Sequence, residues 1–319
     1  LCMIGIIMIF STSYMKAKGE SKAGDYYLLS SLLRLFVGVI AMVVMYYVDY
    51  RKMEKIALPV LIVSLIPMAL TVLGFSGMEA VNGATRWARI PLPGGRGFTF
   101  QPSEITRMAL VVFMASFLAK NQMLIEDFKR GFIKSLALPA IVVAMLIFQP
   151  DYGTAVTIIT ITLLMILVAG ARIKHIALTA DCTIPVLAVL VRTTPYIWKR
   201  MQTFFSDTPD LKGGAYQINQ SLIAIGSGGL GGLGLGQGKQ KHFYLPEAHT
   251  DFIFSMIGEE LGFIGTVLVV SLFGWFLWRG YNVAVKAEDR FGTYLAFGLV
   301  TMLFIFAAIN MSVALEMIP

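Results

Sequence analysis

The residues best equipped for chemistry lie in Pro246-Glu247-Ala248-His249-Thr250-Asp251-Phe252-Ile253-Phe254. Two carboxylates, an imidazole and a hydroxyl lead there directly into a long apolar run, where ionisable groups are costly and mark functional candidates. Glu247 and Asp251 are spaced i, i+4 and share a face if a helix begins near Pro246. The positive end of that helix favours both as carboxylates. Such a group can take a proton from a hydroxyl or bind a hard cation. A plain helix cap would need only one of them. His249 reads equally as a hydrogen-bonded interfacial histidine. Glu259 and Glu260 follow two turns further in, and one of them is expected to face a polar, protein-lined interior.

Two further stretches have the same character. Asn82-Gly83-Ala84-Thr85-Arg86-Trp87 is followed by Gln101-Pro102-Ser103-Glu104-Ile105-Thr106-Arg107. Pro102 and Ser103 suit a helix start, and Glu104 and Arg107, spaced i, i+3, can pair on one face. This is a structural ion pair with an interfacial tryptophan, or a cation held ready for an anionic group. In Gln149-Pro150-Asp151-Tyr152-Gly153-Thr154, Pro150 and Gly153 break a helix and leave Asp151 at a turn, as a cap or as a ligand for substrate.

Two motif-like strings do not survive inspection. Gly226-x-Gly228-x-x-Gly231 fits a dinucleotide fingerprint, but no strand precedes it. Gly238-Lys239-Gln240 ends like a phosphate-binding loop, yet Leu233 stands at the first glycine position and Gln240 replaces the hydroxyl. The glycines suit a backbone that is flexible or approaches another closely.

The elements that must position these residues are apolar helices. A helix needs about 20 apolar residues to cross a bilayer. Qualifying segments run near 1–14, 27–48, 56–76, 103–119, 134–149, 154–170, 173–191, 251–278 and 291–316. None alternates as a barrel strand must. The fold class is therefore all-α, a polytopic transmembrane helix bundle with nine spans, forming one integral membrane domain over 1–319. Two long connections, 77–102 and 192–250, separate the spans. The chain opens within the apolar run Leu1–Phe10 and ends at Ile318-Pro319, so both ends read as incomplete.

Composition agrees. Hydrophobic residues make up 57% of 319 positions, charged residues 14%, and mean hydropathy is +0.74. The net charge of +7 is spread between apolar runs, which argues for basic membrane loops and against nucleic acid. Cys2 and Cys182, the only cysteines, exclude a disulfide framework or zinc site. Setting aside Arg34 and Arg107 within spans, lysines and arginines divide evenly between the two sides, twelve and twelve. The compact loops Asp49–Lys55, Lys120–Lys134, Ala171–His175 and Arg279–Arg290 carry the denser positive charge. They are assigned to the cytoplasm, and the two long connections to the outer side.

The stretches quoted above carry a resemblance. Asn82-Gly83-Ala84-x-Arg86-Trp87, Gln101-Pro102-Ser103-Glu104, Gln149-Pro150-Asp151-x-Gly153 and Leu245 to Phe254, followed by Glu259-Glu260-Leu261-Gly262, resemble in order the shape, elongation, division and sporulation (SEDS) peptidoglycan polymerases. Gly236-Gln237-Gly238-Lys239-Gln240-Lys241 is closer to the division branch than to the elongation branch. Arg107 stands where the family commonly has lysine, which keeps the charge but alters donor geometry. The resemblance implies an expected ten spans in all.

It further implies inverting glycosyl transfer between lipid II units, growing an undecaprenyl-linked glycan on the outer face of the cell membrane. Asp251 is then the base, or a ligand of a divalent cation, Mg²⁺ or Mn²⁺. Arg86, and Arg107 through Glu104, face the pyrophosphate leaving group. Trp87, Asp151, Glu247 and His249 contact substrate. Arg89, Lys199, Arg200, Lys212, Lys239 and Lys241 are weaker cation candidates at headgroup level. The implied partner is a class B penicillin-binding protein, a transpeptidase. A lipid II flippase or a non-catalytic scaffold for that transpeptidase are the competing readings, although no inverted repeat supports a transporter.

Overall fold

The computed structural model describes residues 1–19, 24–74, 78–81, 84–91, 97–205, 214–241, 245, 248 and 250–318. Eleven α-helices and three strands follow in order: α1 (Cys2–Gly19), α2 (Tyr26–Tyr47), α3 (Arg51–Val72), β1 (Met78–Val81), β2 (Ala84–Pro91), β3 (Gly97–Phe100), α4 (Pro102–Asn121), α5 (Ile133–Phe148), α6 (Tyr152–Val168), α7 (Ile173–Thr193), α8 (Pro195–Phe204), α9 (Gly214–Ser227), α10 (Ile253–Val285) and α11 (Arg290–Ala314). Among the described residues, seven helical segments are long and apolar enough to span a bilayer. The shorter apolar helices Cys2–Tyr14 and Tyr152–Val168 bring the described residues to the nine apolar segments read from sequence. The third begins earlier than 56, because Arg51 N–H donates to Asp49 Oδ1 (2.9 Å) and the polar turn Arg51–Lys55 is already helical.

Helix α2 buries no residue at all, and Leu33, Phe36 and Met42 are each more than 60% exposed. An apolar face that size belongs against lipid tails. The chain is a multi-pass membrane protein.

The two long connections are not plain loops. Segment 77–102 contains a three-stranded antiparallel sheet, β1-β2-β3, with Glu79 opposite Trp87 and Ala88 opposite Phe100. Segment 192–250 contains α8 and α9.

The chain packs as two compact units. Unit 1 comprises Leu1–Tyr47, Thr183–Phe276 and Phe306–Pro319; unit 2 comprises Val48–Cys182 and Leu277–Ile305. The core of unit 2 joins Leu61 and Met68 of α3, Met114 and Leu118 of α4, Leu146 of α5, Met165 of α6 and Met302 of α11. Two side chains lock α3 to its neighbours: Thr106 Oγ1 donates to Ser64 O (3.0 Å), and Gln149 Nε2 donates to Met68 O (3.0 Å). The four compact basic loops share one end of this unit. Arg51 pairs with Glu288 (2.7 Å) and Asp289 (3.0 Å), Lys120 with Glu54 (3.7 Å) and Arg172 with Glu126 (3.4 Å). Exposed pairs contribute little stability, but these link the loops into one cluster. In unit 1, Met8 of α1, Phe254, Met256 and Ile257 of α10 and Ala314 of α11 form the core with Leu245, Ala248 and Phe252. Ser221 of α9 joins it through Ser255 Oγ (2.5 Å) and Ala314 O (2.6 Å).

Candidate functional site

In unit 2, the candidate residues gather where α4 and α6 begin and α5 ends. Strand β2 lies against α3 and α4. It carries Arg86, half-buried, whose Nε donates to Gln149 O (3.1 Å) and whose Nη2 donates to Pro150 O. These two bonds use part of its five-donor fork. Gln149 is buried, and Thr71 Oγ1 lies 2.5 Å from its Nε2. Asp151, also buried, accepts from Gln101 Nε2 (3.3 Å) through Oδ2 and from Thr154 N–H (3.3 Å) through Oδ1, capping α6. Trp87, next to Arg86 where β2 shifts register against β1, is half-buried.

Arg107 lies one turn into α4, only 7% exposed. It lines a small cavity with Leu110, Met114, Ile158, Thr162 and Met165. A guanidinium does not lose its charge in such a place, so the cavity holds a fixed cation. The charges of Glu104 and Asp151 both act on it. Glu104 itself is exposed, while the Ser103 hydroxyl is buried without a hydrogen-bond partner. Arg107 is thus a buried cation near the start of α4, on which exposed Glu104 also lies.

In unit 1, Asp251 is exposed, in a turn between buried Ala248 and buried Phe252. Helix α10 begins at Ile253, later than expected. Asp251 therefore lies in a turn ahead of the helix, beside the apolar anchors Ala248 and Phe252, and its expected i, i+4 partnership with Glu247 falls outside the described residues. Glu247 and His249 lie outside the described residues.

Two turns on, α10 is interrupted. Gly262 adopts φ 66°, ψ −164°, a conformation essentially restricted to glycine. The glycine-rich segment 228–240 packs against the break and satisfies it. Leu233 N–H donates to Glu259 O (2.9 Å) and Gly234 N–H to Glu260 O (3.1 Å); Phe263 and Ile264 N–H donate to Gly229 O (2.9 Å) and Leu230 O (3.2 Å). Irregular backbone at membrane depth survives only when paired in this way. A Cβ at Gly228, Gly232 or Gly262 would collide with the facing backbone, so close approach explains these glycines.

The side chains of Glu259 and Glu260 are sealed beneath this segment, at 1% and 0% exposure. Glu259 accepts from the N–H groups of Lys239 (2.7 Å) and Gln240 (3.2 Å). Glu260 pairs with Lys241 Nζ (2.9 Å) and accepts from Ser11 Oγ (2.6 Å) and Gly236 N–H (3.0 Å). Both glutamates thus face a polar interior. Lys241, expected among the headgroup cations, is instead buried as the partner of Glu260. Two adjacent carboxylates in an apolar run require a cation, and a basic residue 19 positions upstream was the signal that could have identified it.

Among the described residues, no group of three or more His, Cys, Asp or Glu side chains could hold a metal ion. The donor set shown does not form a cation cage by itself.

Comparison with known proteins places the chain. Residues 1–319 match the FtsW, RodA and SpoVE family, described as cell cycle proteins. A probable peptidoglycan glycosyltransferase FtsW of Geobacter metallireducens is 39% identical over 320 residues, covering 100% of this chain and 84% of its own. Stage V sporulation protein E of Bacillus subtilis is 37% identical over 319 residues, covering 100% and 86%. A solved complex described as a peptidoglycan synthase coordinating polymerization and crosslinking shares the fold, with TM-score 0.73 at 23% identity over 98% of this chain and 86% of that one. The rod shape determining protein RodA of Thermus thermophilus, in an aspartate-to-alanine mutant, matches with TM-score 0.60 at 22% identity over 98% and 84%. This chain belongs to the FtsW/RodA/SpoVE family of cell cycle proteins.

Proposed function

We infer that this chain polymerises lipid II into glycan strands by inverting transfer, with Asp251 as the base, on the extracytoplasmic face of the membrane. The chain is a peptidoglycan glycosyltransferase; its substrate, the sidedness of its site and the roles of its residues are the proposal. The observation that carries it is Asp251 itself. It is exposed between two buried apolar anchors at the head of α10, in a family whose curated relatives are named for glycosyl transfer.

The 4-hydroxyl oxygen of the acceptor sugar attacks the anomeric carbon of the donor. Its proton passes to the Asp251 carboxylate as the new glycosidic bond forms. The bond from the anomeric carbon to the pyrophosphate oxygen breaks, and the electron pair leaves with the lipid pyrophosphate. Pyrophosphate leaves readily, so one base suffices and no proton-donating acid is required. Arg107, charged in its cavity, and Arg86 at the α5–α6 turn are the cations offered to the negative leaving group. Glu104 precedes Arg107 by one turn of α4, and Asp151 caps α6, which packs against α4. Trp87 offers a face to sugar or lipid stem, and Glu247 and His249 flank the base in sequence. Asp251 would also offer a hard oxygen ligand to a divalent cation, Mg²⁺ or Mn²⁺, and no step here runs through it.

A class B penicillin-binding protein is the proposed partner. The reading is supported by the shared fold of a complex described as coordinating polymerization with crosslinking. Purified protein in detergent, given lipid II and no second compartment, should make glycan chains. A protein that only carries lipid II across a membrane, or only scaffolds a transpeptidase, would make none.

A further inference from the structure

Asp251 sits in a turn, not on a helix, yet a catalytic group works only when held to about half an ångström. The segment that carries it is tied down at both ends. On the far side, Phe252, Phe254 and Met256 are buried with Leu245, Ala248 and Met8. On the near side, the chain is gripped by two consecutive carboxylates of α10. Glu259 binds the N–H groups of Lys239 and Gln240, and Glu260 binds Lys241 Nζ, Gly236 N–H and Ser11 Oγ. Lys241 Nζ also donates to Ser11 Oγ (3.2 Å), which brings α1 into the same knot. Lys241 and Phe252, described residues before and after Asp251 in the chain, are therefore both anchored within this unit, the lysine side chain on Glu260 two turns into α10.

We propose that this buried knot is the clamp that positions Asp251, making Lys241, Glu259, Glu260 and Ser11 positioning residues for the transfer. The inference rests on the reading of Asp251 as base. Its physical logic is one of location. The Lys241 and Glu260 side chains are only 5% and 0% exposed. A well-packed apolar pair of that volume would be as stable or more so, because burying two charges costs as much as their attraction returns. What the ions and their fixed donors add is a defined register between the loop and the break in α10. The glycine segment makes that register possible, since no side chain separates its backbone from Glu259 and Glu260.

The test uses the full chain in detergent with lipid II. The neutral pair Lys241→Met with Glu260→Gln removes the clamp without leaving a buried charge unpaired. The neutral pair should keep the wild-type melting temperature and KM while kcat falls about 10²-fold, the usual cost of a misplaced group. In an Asp251→Asn background the same pair should slow the residual rate no further. If the neutral pair fails to fold, Ser11→Ala decides, with an expected fall in kcat of about tenfold that also vanishes in the Asp251→Asn background. Wild-type kcat in the folded variant, or a full additional loss on top of Asp251→Asn, overturns the clamp alone. A wild-type rate for Asp251→Asn by itself overturns the base assignment and the clamp with it.

Discussion

The two compact units hold their buried charges by opposite means. Unit 2 holds a guanidinium, Arg107, in a cavity walled by apolar side chains of α4 and α6. Its surroundings are fixed by side chains reaching the backbone of neighbouring elements, as Thr106, Gln149 and Arg86 do. Unit 1 buries two carboxylates against one lysine, and fixes them by laying glycine backbone directly on a broken helix. The first arrangement tolerates side-chain change as long as the helices stay packed. The second has no slack, because backbone meets backbone.

The sharpest way to break the comparison is through the glycines. Gly262→Val adds a side chain where the backbone conformation alone costs about 1–3 kcal/mol, and where Gly232 leaves no room. The variant should fail to yield a folded, monodisperse protein by size exclusion. Gly153→Ala, in unit 2, meets nothing within 4 Å and should melt at or slightly above the wild-type temperature. If both behave alike, the contrast between the units is wrong.

Next comes the buried cation. Arg107→Met should lower kcat by about 10²–10³-fold, the range for losing one group that stabilises developing charge. Arg107→Lys should recover part of that loss, since charge is retained but the fork is not. Smaller again is Gln149→Leu, which removes the donor to Met68 O and Thr71. A lowered denaturation midpoint worth about 1–3 kcal/mol is expected, with KM little changed.

The smallest effect lies at the ion-paired end of unit 2. Burial pushes the Asp289 carboxyl up, but the Gly292 N–H and Arg51 outweigh it and hold it below the usual carboxylate range. Its contribution is therefore present above the ordinary carboxylate value of about 4 and is lost as pH falls through the depressed one. Asp289→Asn should lower the melting temperature slightly at pH 7, and the difference from wild type should shrink in acid. A difference that grows in acid would contradict this.

How far these units could be read from sequence differs in the same way. The spans were legible because an apolar run of bilayer length has few other uses, and helix ends shifted by a few residues, as where the polar turn Arg51–Lys55 joined α3. Arg107, Asp151 and Asp251 stood out as ionisable groups bordering apolar runs. The sheet over 78–100 was not legible, because its strands β1 and β3 have four residues each, too few to show alternation. Nor was the Lys241–Glu260 pair, formed across a glycine-rich stretch with no periodicity. The spacing of Asp251 from Glu247 suits a helix that begins near Pro246, whereas α10 begins at Ile253, behind the anchored Ala248 and Phe252.

The central claim is that the Asp251 carboxylate takes the proton. Purified wild type and Asp251→Asn should be compared for lipid II binding and for polymerisation, each with and without a chelator of divalent cations. The variant should bind lipid II as wild type does and polymerise it about 10²–10⁴-fold more slowly, the span of a lost general base. Polymerisation by Asp251→Asn at the wild-type rate would contradict the account.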